Sequence, residues 1–282
     1  MDKLTETNAA LLCAHTKGVY RQGYRLVCVQ CSSFRDIESS SQEYRYTDAY
    51  LKQRYHCDNK EIGSLKIKTM LAWLKAAGLL EKIKSMRVCE VGFGGGACLE
   101  YLHETALGVW GIEITRFALE NAAHLGIPKQ NLYSYADVPK KLPQEIDLWL
   151  FQDSFEHIEK NIELFLQWVE NNSSARARVL LVAPEACSLS QKVMGRYWPH
   201  KMPDHLFHWS YSGLCEMVKK FHFNPAMKFF PVKYVNLTMV FAHLFIKFNL
   251  SRKIREKIVP NISFPFNFGE MGIVFERNAA SL

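Results

Sequence analysis

The stretch VCEVGFGGGA, residues 88–97, decides the fold. An apolar run closes on a string of glycines, and ACLEYLHE follows with the composition of a helix. A strand therefore turns almost directly into a helix. Glycine at such a turn reaches backbone angles closed to other residues and leaves room for a ligand to touch the main chain. The unpaired N–H groups of the helix start face the same place. Gly92, Gly94 and Ala97 satisfy the dinucleotide fingerprint G-x-G-x-x-G/A, so the glycines alone leave the ligand open. Two acids narrow it. Glu90 ends the strand beside the glycines, where it would repel a pyrophosphate and hold an amino acid's ammonium group. Glu113 ends the next strand candidate, about twenty residues on, where a carboxylate can accept hydrogen bonds from ribose hydroxyls.

Outward from this turn, short apolar runs alternate with helix patterns. GVWGIEI is a strand candidate, and TRFALENAAHLG is a helix with Thr115 as N-cap and Gly126 as stop. NLYSY, IDLWLF and RVLLVAP are three further strands. Between the last two, NIELFLQWVENN sets Ile162, Phe165, Leu166 and Val169 on one helical face. The alternation calls for a parallel sheet covered on both faces, a doubly wound α/β domain over residues 85–282. Residues 41–84 read as a helical lead-in, with Leu71, Leu74, Leu79 and Ile83 at helical intervals. Residues 1–40 form a small appendage rich in cysteine and tyrosine. After Pro184 a loop rich in Pro, His and Trp runs toward residue 209. SYSGLCEMVKKFHF then reads as a helix entering a strand near 226–235, an apolar helix candidate covers 236–257, and GEMGIVFER closes the sheet.

Glu90, Gly92, Gly94 and Gly96 also match E/D-x-G-x-G-x-G. With Glu113 and the segment IDLWLFQDSFEHI, the chain resembles the class I methyltransferases that use S-adenosylmethionine (SAM). The resemblance covers residues 85–225 and implies a Rossmann-like seven-stranded sheet with SAM as cofactor. It implies cofactor contacts from Glu90, Gly92, Phe93, Gly94 and Gly96 in the turn, from Glu113 and Ile114 after the second strand, from Asp137 and Val138 near the adenine, and from Asp153. Asp147 stands at the family's strand aspartate, and Glu156 and His157 at its Glu-His pair. Trp198, His205, Leu206 and Ser210 match a narrower branch that includes ubiquinone-type O-methyltransferases and sugar methyltransferases, while Glu185 and His222 depart from it. What this implies is methyl transfer to a small molecule, at oxygen. Modification of RNA or protein, a SAM-binding scaffold without catalysis, and a nicotinamide dehydrogenase stay open beside it.

Members of that branch often begin with a zinc ribbon of two C-x-x-C knuckles. VCVQC supplies Cys28 and Cys31 at knuckle spacing, and LLCAHTK supplies Cys13 and His15 one residue closer. The four make a candidate structural zinc site; a metal-free hairpin is the alternative. Among the eight cysteines, Cys89, Cys98, Cys187 and Cys215 sit in apolar or helical runs and read as buried thiols, which suits a reducing, cytoplasmic compartment. No basic start followed by a long apolar stretch reads as a signal peptide. The longest apolar run, near 237–250, is broken by His243 and Lys247 and is too short to span a bilayer. The basic RKIREK behind it leaves peripheral membrane contact open. The net charge of +7 is spread along the chain, without the basic stripe of a nucleic-acid binder.

Methyl transfer from a sulfonium is an in-line displacement, so positioning and water exclusion carry much of the rate. A hydroxyl acceptor also needs a base. Candidates are His157, His200, His205 and His208. His157 is either a base or, with Glu156, a pin for the loop backbone. PHKMPDHLFHW is either a lid in which Asp204 orients His205, or a surface loop.

Overall fold

The computed structural model describes residues 19–22, 25–36, 60–158, 162–202, 205, 207–236 and 262–278. Three short strands, β1 (Val19–Gln22), β2 (Arg25–Cys28) and β3 (Phe34–Asp36), run antiparallel. Helix α1 (Lys60–Ala76) ends where Gly78 takes φ 65°, and a 3₁₀ turn over Leu80–Ser85 leads into the main sheet. There follow β4 (Arg87–Val91), α2 (Ala97–Thr105), β5 (Gly108–Glu113), α3 (Arg116–His124), β6 (Leu132–Ser134), β7 (Ile146–Gln152), α4 (Ile162–Asn171) and β8 (Ser173–Pro184). The remaining elements are α5 (Leu189–Met194), β9 (Phe207–His208), α6 (Tyr211–Lys219), β10 (Phe223–Phe229), β11 (Lys233–Asn236), β12 (Ser263–Phe266) and β13 (Glu270–Arg277).

The seven-stranded sheet has the order β10-β13-β8-β7-β4-β5-β6. β4, β5, β6, β7 and β8 are parallel, while β13 runs antiparallel between β8 and β10. Its central strands are apolar on both faces, as a doubly covered parallel sheet requires. The period of two sorts their side chains. Val88, Leu148, Leu150, Leu180 and Val182 enter one layer with Met70, Leu74, Leu99, Leu102 and Ala122 of the first three helices. Cys89, Val91, Trp149, Phe151, Val179 and Leu181 enter the other with Phe165, Leu166, Val169, Leu214 and Val218. Each such buried side chain contributes about 1.5–3 kcal/mol before ordering costs. Thr115 caps α3 as expected, its hydroxyl accepting from the Ala118 N–H. The predicted face of α4 is the buried one.

Three expectations change. The single strand near 226–235 is two strands. Pro231 has no N–H to donate, so the ladder with β13 ends at Phe229, and β11 pairs with β12 instead. Asn236 closes β11, so no helix begins there; residues 237–257 of the expected helix lie outside the described residues. Cys187 is half-buried rather than buried, because it sits in the loop past the sheet edge. Among the described residues no helix is long and apolar enough to cross a membrane.

The appendage is not self-contained. β9 pairs with β3, setting Phe34 opposite His208 and Arg35 opposite Phe207. Val27 and Phe34 pack on Ala186 and Trp198, and Cys28 and Cys31 join the main core.

Candidate active site

β5 and β6 extend the sheet on one side of β4, β7 and β8 on the other. The crevice outside the carboxyl ends of β4 and β7 is therefore the topological switch point, where doubly wound sheets take ligands. Its floor is the glycine turn. Gly92, Gly94 and Gly96 have φ of 76°, 56° and 86°, in the left-handed region. A Cβ on Gly92 would lie 2.5 Å from the Ser154 Cβ. The Ser154 hydroxyl donates to the Val91 carbonyl at 2.6 Å and fastens the loop after β7 against the turn.

Glu90 is only 3% exposed. Its Oε1 accepts from Gln152 Nε2 at 2.7 Å, while its buried Oε2 has no partner. Burial pushes this carboxyl up to about 8, nearby Glu113 adds to the rise, and the Gln152 bond opposes it. A buried carboxyl with one oxygen unused is what a ligand cation would satisfy. Glu113 closes the opposite wall: Oε2 accepts from the Gly94 N–H at 2.8 Å and Oε1 from the Ile114 N–H at 2.7 Å. Burial raises its carboxyl while those amides pull it back.

The other expected cofactor positions differ in what they can offer. Phe93 turns its ring into the core beneath Gly111, whose Cβ would meet it at 2.8 Å, so only its main chain is available. Ile114 is exposed. Asp137, in a 3₁₀ turn after β6, is exposed, and Val138 is half-buried. Asp153 has φ 51°, unusual outside glycine, and its carboxylate is held by Lys233 Nζ at 2.8 Å. Asp147 sits at the opposite end of the sheet in a bidentate pair with Arg87, 2.8 and 3.0 Å, and serves the fold.

Behind the loop after β7 lies a histidine-lined chamber. Lys233 Nζ also reaches Glu270 Oε1 at 2.7 Å, and His200 Nε2 reaches the same oxygen at 3.0 Å. Burial alone would raise the Glu270 carboxyl, but Lys233 and His200 hold it down at about 2. The rings of His157 and His205 lie 4.6 Å apart, centroid to centroid, with His200 and His208 at 6.2 and 6.4 Å from His205. His200, His205 and His208 are buried, so the surface-loop alternative for this segment fails. Burial, then the neighbouring His157, holds His205 well below the usual histidine range. Burial, then Arg25, pulls His208 down to about 3. Both are neutral at pH 7, and His208 stacks on Phe34 at 4.5 Å. Glu156 is 1% exposed and neither of its carboxyl oxygens meets a donor from another residue. Burial, with Asp153 adding, pushes it well above the carboxylate range.

Asp204, expected to orient His205, lies outside the described residues, as do Cys13 and His15. Cys28 and Cys31 are buried, and the Cys31 thiol donates to Ser33 Oγ at 3.2 Å. Sequence reading missed Gln152 and Ser154, although both flank Asp153 at the end of a buried strand. It also missed Lys233 and Glu270, which meet only in the fold and carry no local signal.

The sheet order, with its antiparallel β13 between β8 and β10, is the seven-stranded Rossmann-like arrangement that the resemblance to class I methyltransferases implies. No protein-family profile matches the chain, and no curated protein matches it. Among solved structures, a SAM-dependent methyltransferase of Thermotoga maritima, described as a possible histamine N-methyltransferase, is 14% identical; the match covers 81% of this chain and 99% of that one, with a TM-score of 0.49. A putative methyltransferase of Bacillus halodurans is 17% identical over 72% of this chain and 97% of its own, with a TM-score of 0.49. The magnesium protoporphyrin IX methyltransferase of Synechocystis, with bound S-adenosylhomocysteine, is 14% identical over 77% and 84%, with a TM-score of 0.47. What those proteins act on stays with them.

Proposed function

We propose that this chain is a SAM-dependent methyltransferase for a small-molecule acceptor, with oxygen as the receiving atom. The observation that carries the reading is the buried, unpartnered Oε2 of Glu90 beside the glycine turn, one strand from Glu113. The Glu90 carboxylate would take the ammonium of the cofactor's amino acid, and Glu113 its ribose hydroxyls. Gly92, Gly94 and Gly96 would leave room for it, and Ile114, Asp137, Val138, Asp153 and the main chain of Phe93 would line the rest of its site. When bound, the cofactor supplies a sulfonium whose methyl is electrophilic. The chain's own task is to orient the acceptor, exclude water and deal with the acceptor's proton. The loop after β7, tied to the glycine turn through Ser154, brings Glu156 and His157 toward this task, and His205 packs against His157. A structural zinc on Cys13, His15, Cys28 and Cys31 belongs to the same reading and is decided by metal analysis.

The test is calorimetry of the full chain with SAM, S-adenosylhomocysteine and NAD. Binding of the first two and not the third is expected, with Glu113→Ala weakening SAM by at least about tenfold, the loss of one or two charge-assisted hydrogen bonds. Preference for NAD overturns the reading. Labelled methyl transfer into a cell extract, fractionated by solubility and by nuclease treatment, then tells a small molecule from RNA or protein.

A further inference from the structure

The chamber behind the loop after β7 contains a group of side chains that the cofactor does not use. Glu156, His157 and His205 each turn one ligand atom into a common space, and those atoms all lie within 4.8 Å of one another. We infer that these three residues form a binding site for a first-row divalent transition metal of the zinc type.

Four observations carry this. First, the donor set is two imidazoles and one carboxylate, which suits zinc, iron(II) or cobalt(II) rather than magnesium or calcium. Second, Glu156 is 1% exposed with both oxygens lacking a donor, and the buried Nδ1 of His205 has no partner. Such groups are costly to leave unmet, and one cation meets both. Third, two acids stand beside the group: Asp153 and Glu270 share Lys233, and Glu270 also meets His200. Fourth, the ligands are held by fixed main chain. Glu156 and His157 are consecutive in the 3₁₀ turn Phe155–His157, and the His205 N–H is bonded to the Met202 carbonyl two residues before β9. Bonds to zinc of about 2.0–2.2 Å set ligand atoms about 3.3 Å apart. The group would draw in by about an ångström on binding, within the range of side-chain torsions.

Three protein ligands leave at least one position open on such an ion. An acceptor oxygen would occupy it, turned toward the crevice across Ser154. This last step rests on the methyltransferase reading; the metal site itself does not.

The experiment uses the full chain stripped of metal by chelation and titrated with cobalt(II). One nitrogen- and oxygen-ligated ion per chain is expected, with visible d–d bands; a thiolate-to-cobalt charge-transfer band would mark a separate ion on the N-terminal cysteines. Glu156→Gln and His205→Gln should each weaken cobalt more than about 100-fold, beyond what outer-shell changes cost. Melting of the metal-free variants is followed in parallel. Should they be unfolded, the wild-type spectrum alone decides, since absence of nitrogen- and oxygen-ligated cobalt overturns the site. Unchanged affinity in folded variants overturns it as well. SAM calorimetry on the stripped protein separates the two readings. Cofactor binding without cobalt binding sinks the metal site alone, and cobalt binding without cofactor binding sinks the methyltransferase reading alone.

Discussion

The crevice and the histidine chamber share one loop and solve the burial of polar groups in opposite ways. The crevice does it within the sheet ends: Glu113 is met by main-chain donors from Gly94 and Ile114, and Glu90 by Gln152 at the end of the adjacent strand. The chamber does it at long range: Lys233 is shared between Asp153 and Glu270, and its histidines come from separate segments. The first arrangement leaves an acid waiting for a cation. The second leaves imidazoles neutral in an apolar wall. The acids of the crevice and the buried histidines of the chamber therefore shift in opposite directions, and variants can tell them apart.

Lys233→Met should have the largest effect. It strands the buried carboxylate of Glu270 and unpairs the partly exposed Asp153, and loss of one partner from a buried ionic group costs about 3–5 kcal/mol. Urea denaturation measures it; a loss below 1 kcal/mol, on the order of a surface pair, would mean the chamber's charges are solvated. Gly92→Ala comes next. The positive φ costs about 1–2 kcal/mol and the collision with Ser154 adds a comparable amount, so about 2–4 kcal/mol is expected together with loss of SAM binding. A stable, SAM-binding Gly92→Ala protein would show that the loop after β7 is not seated on the turn.

Glu90→Gln separates stability from binding. SAM should bind at least about 100-fold more weakly, as for a buried charge-assisted contact. Yet the free protein should gain on the order of 3 kcal/mol at neutral pH, because a carboxyl shifted from 4.5 to about 8 burdens the fold. The sign of the pH dependence follows. Folded Glu90 holds a proton that the unfolded chain releases, so its share of stability is full below 4.5 and is lost as pH rises to about 8. His208 runs the other way: lowered from 6.5 to about 3, its share is full above 6.5 and is lost as pH falls to about 3. Denaturation midpoints across pH should show an alkaline limb that Glu90→Gln removes and an acid limb that it leaves intact. SAM affinity should climb about tenfold per pH unit up to about 8, since the ammonium needs Glu90 ionised. The smallest effect belongs to Arg116→Ala. Its pair with Glu120 is exposed, and a change beyond about 0.5 kcal/mol would be unexpected.

The crevice was legible because its determinants are short-range. A strand, three glycines and an acid at each strand end are fixed by neighbours in the chain, and the caps at Thr115 and Gly126 are single-residue signals. The same reasoning took Phe93 as a cofactor residue, although its ring serves the core. The chamber was only half legible. Its histidines stood out as titratable residues, but their burial depends on Phe34 and Trp198, which approach from distant segments. Nothing local announces that Lys233 will be shared by two acids. The break at Pro231 was readable in principle, since proline ends a ladder, but the apolar run around it masked the signal.

The pairing of β9 with β3 has a consequence for anyone wishing to shorten the protein. Phe207 and His208 lend their edge to the first strands, and in return Phe34 covers the ring of His208. Cutting away the first 36 residues would not trim an ornament. It would uncover the indole of Trp198, open one side of the imidazole wall to water, and leave an unclaimed strand edge that invites self-association.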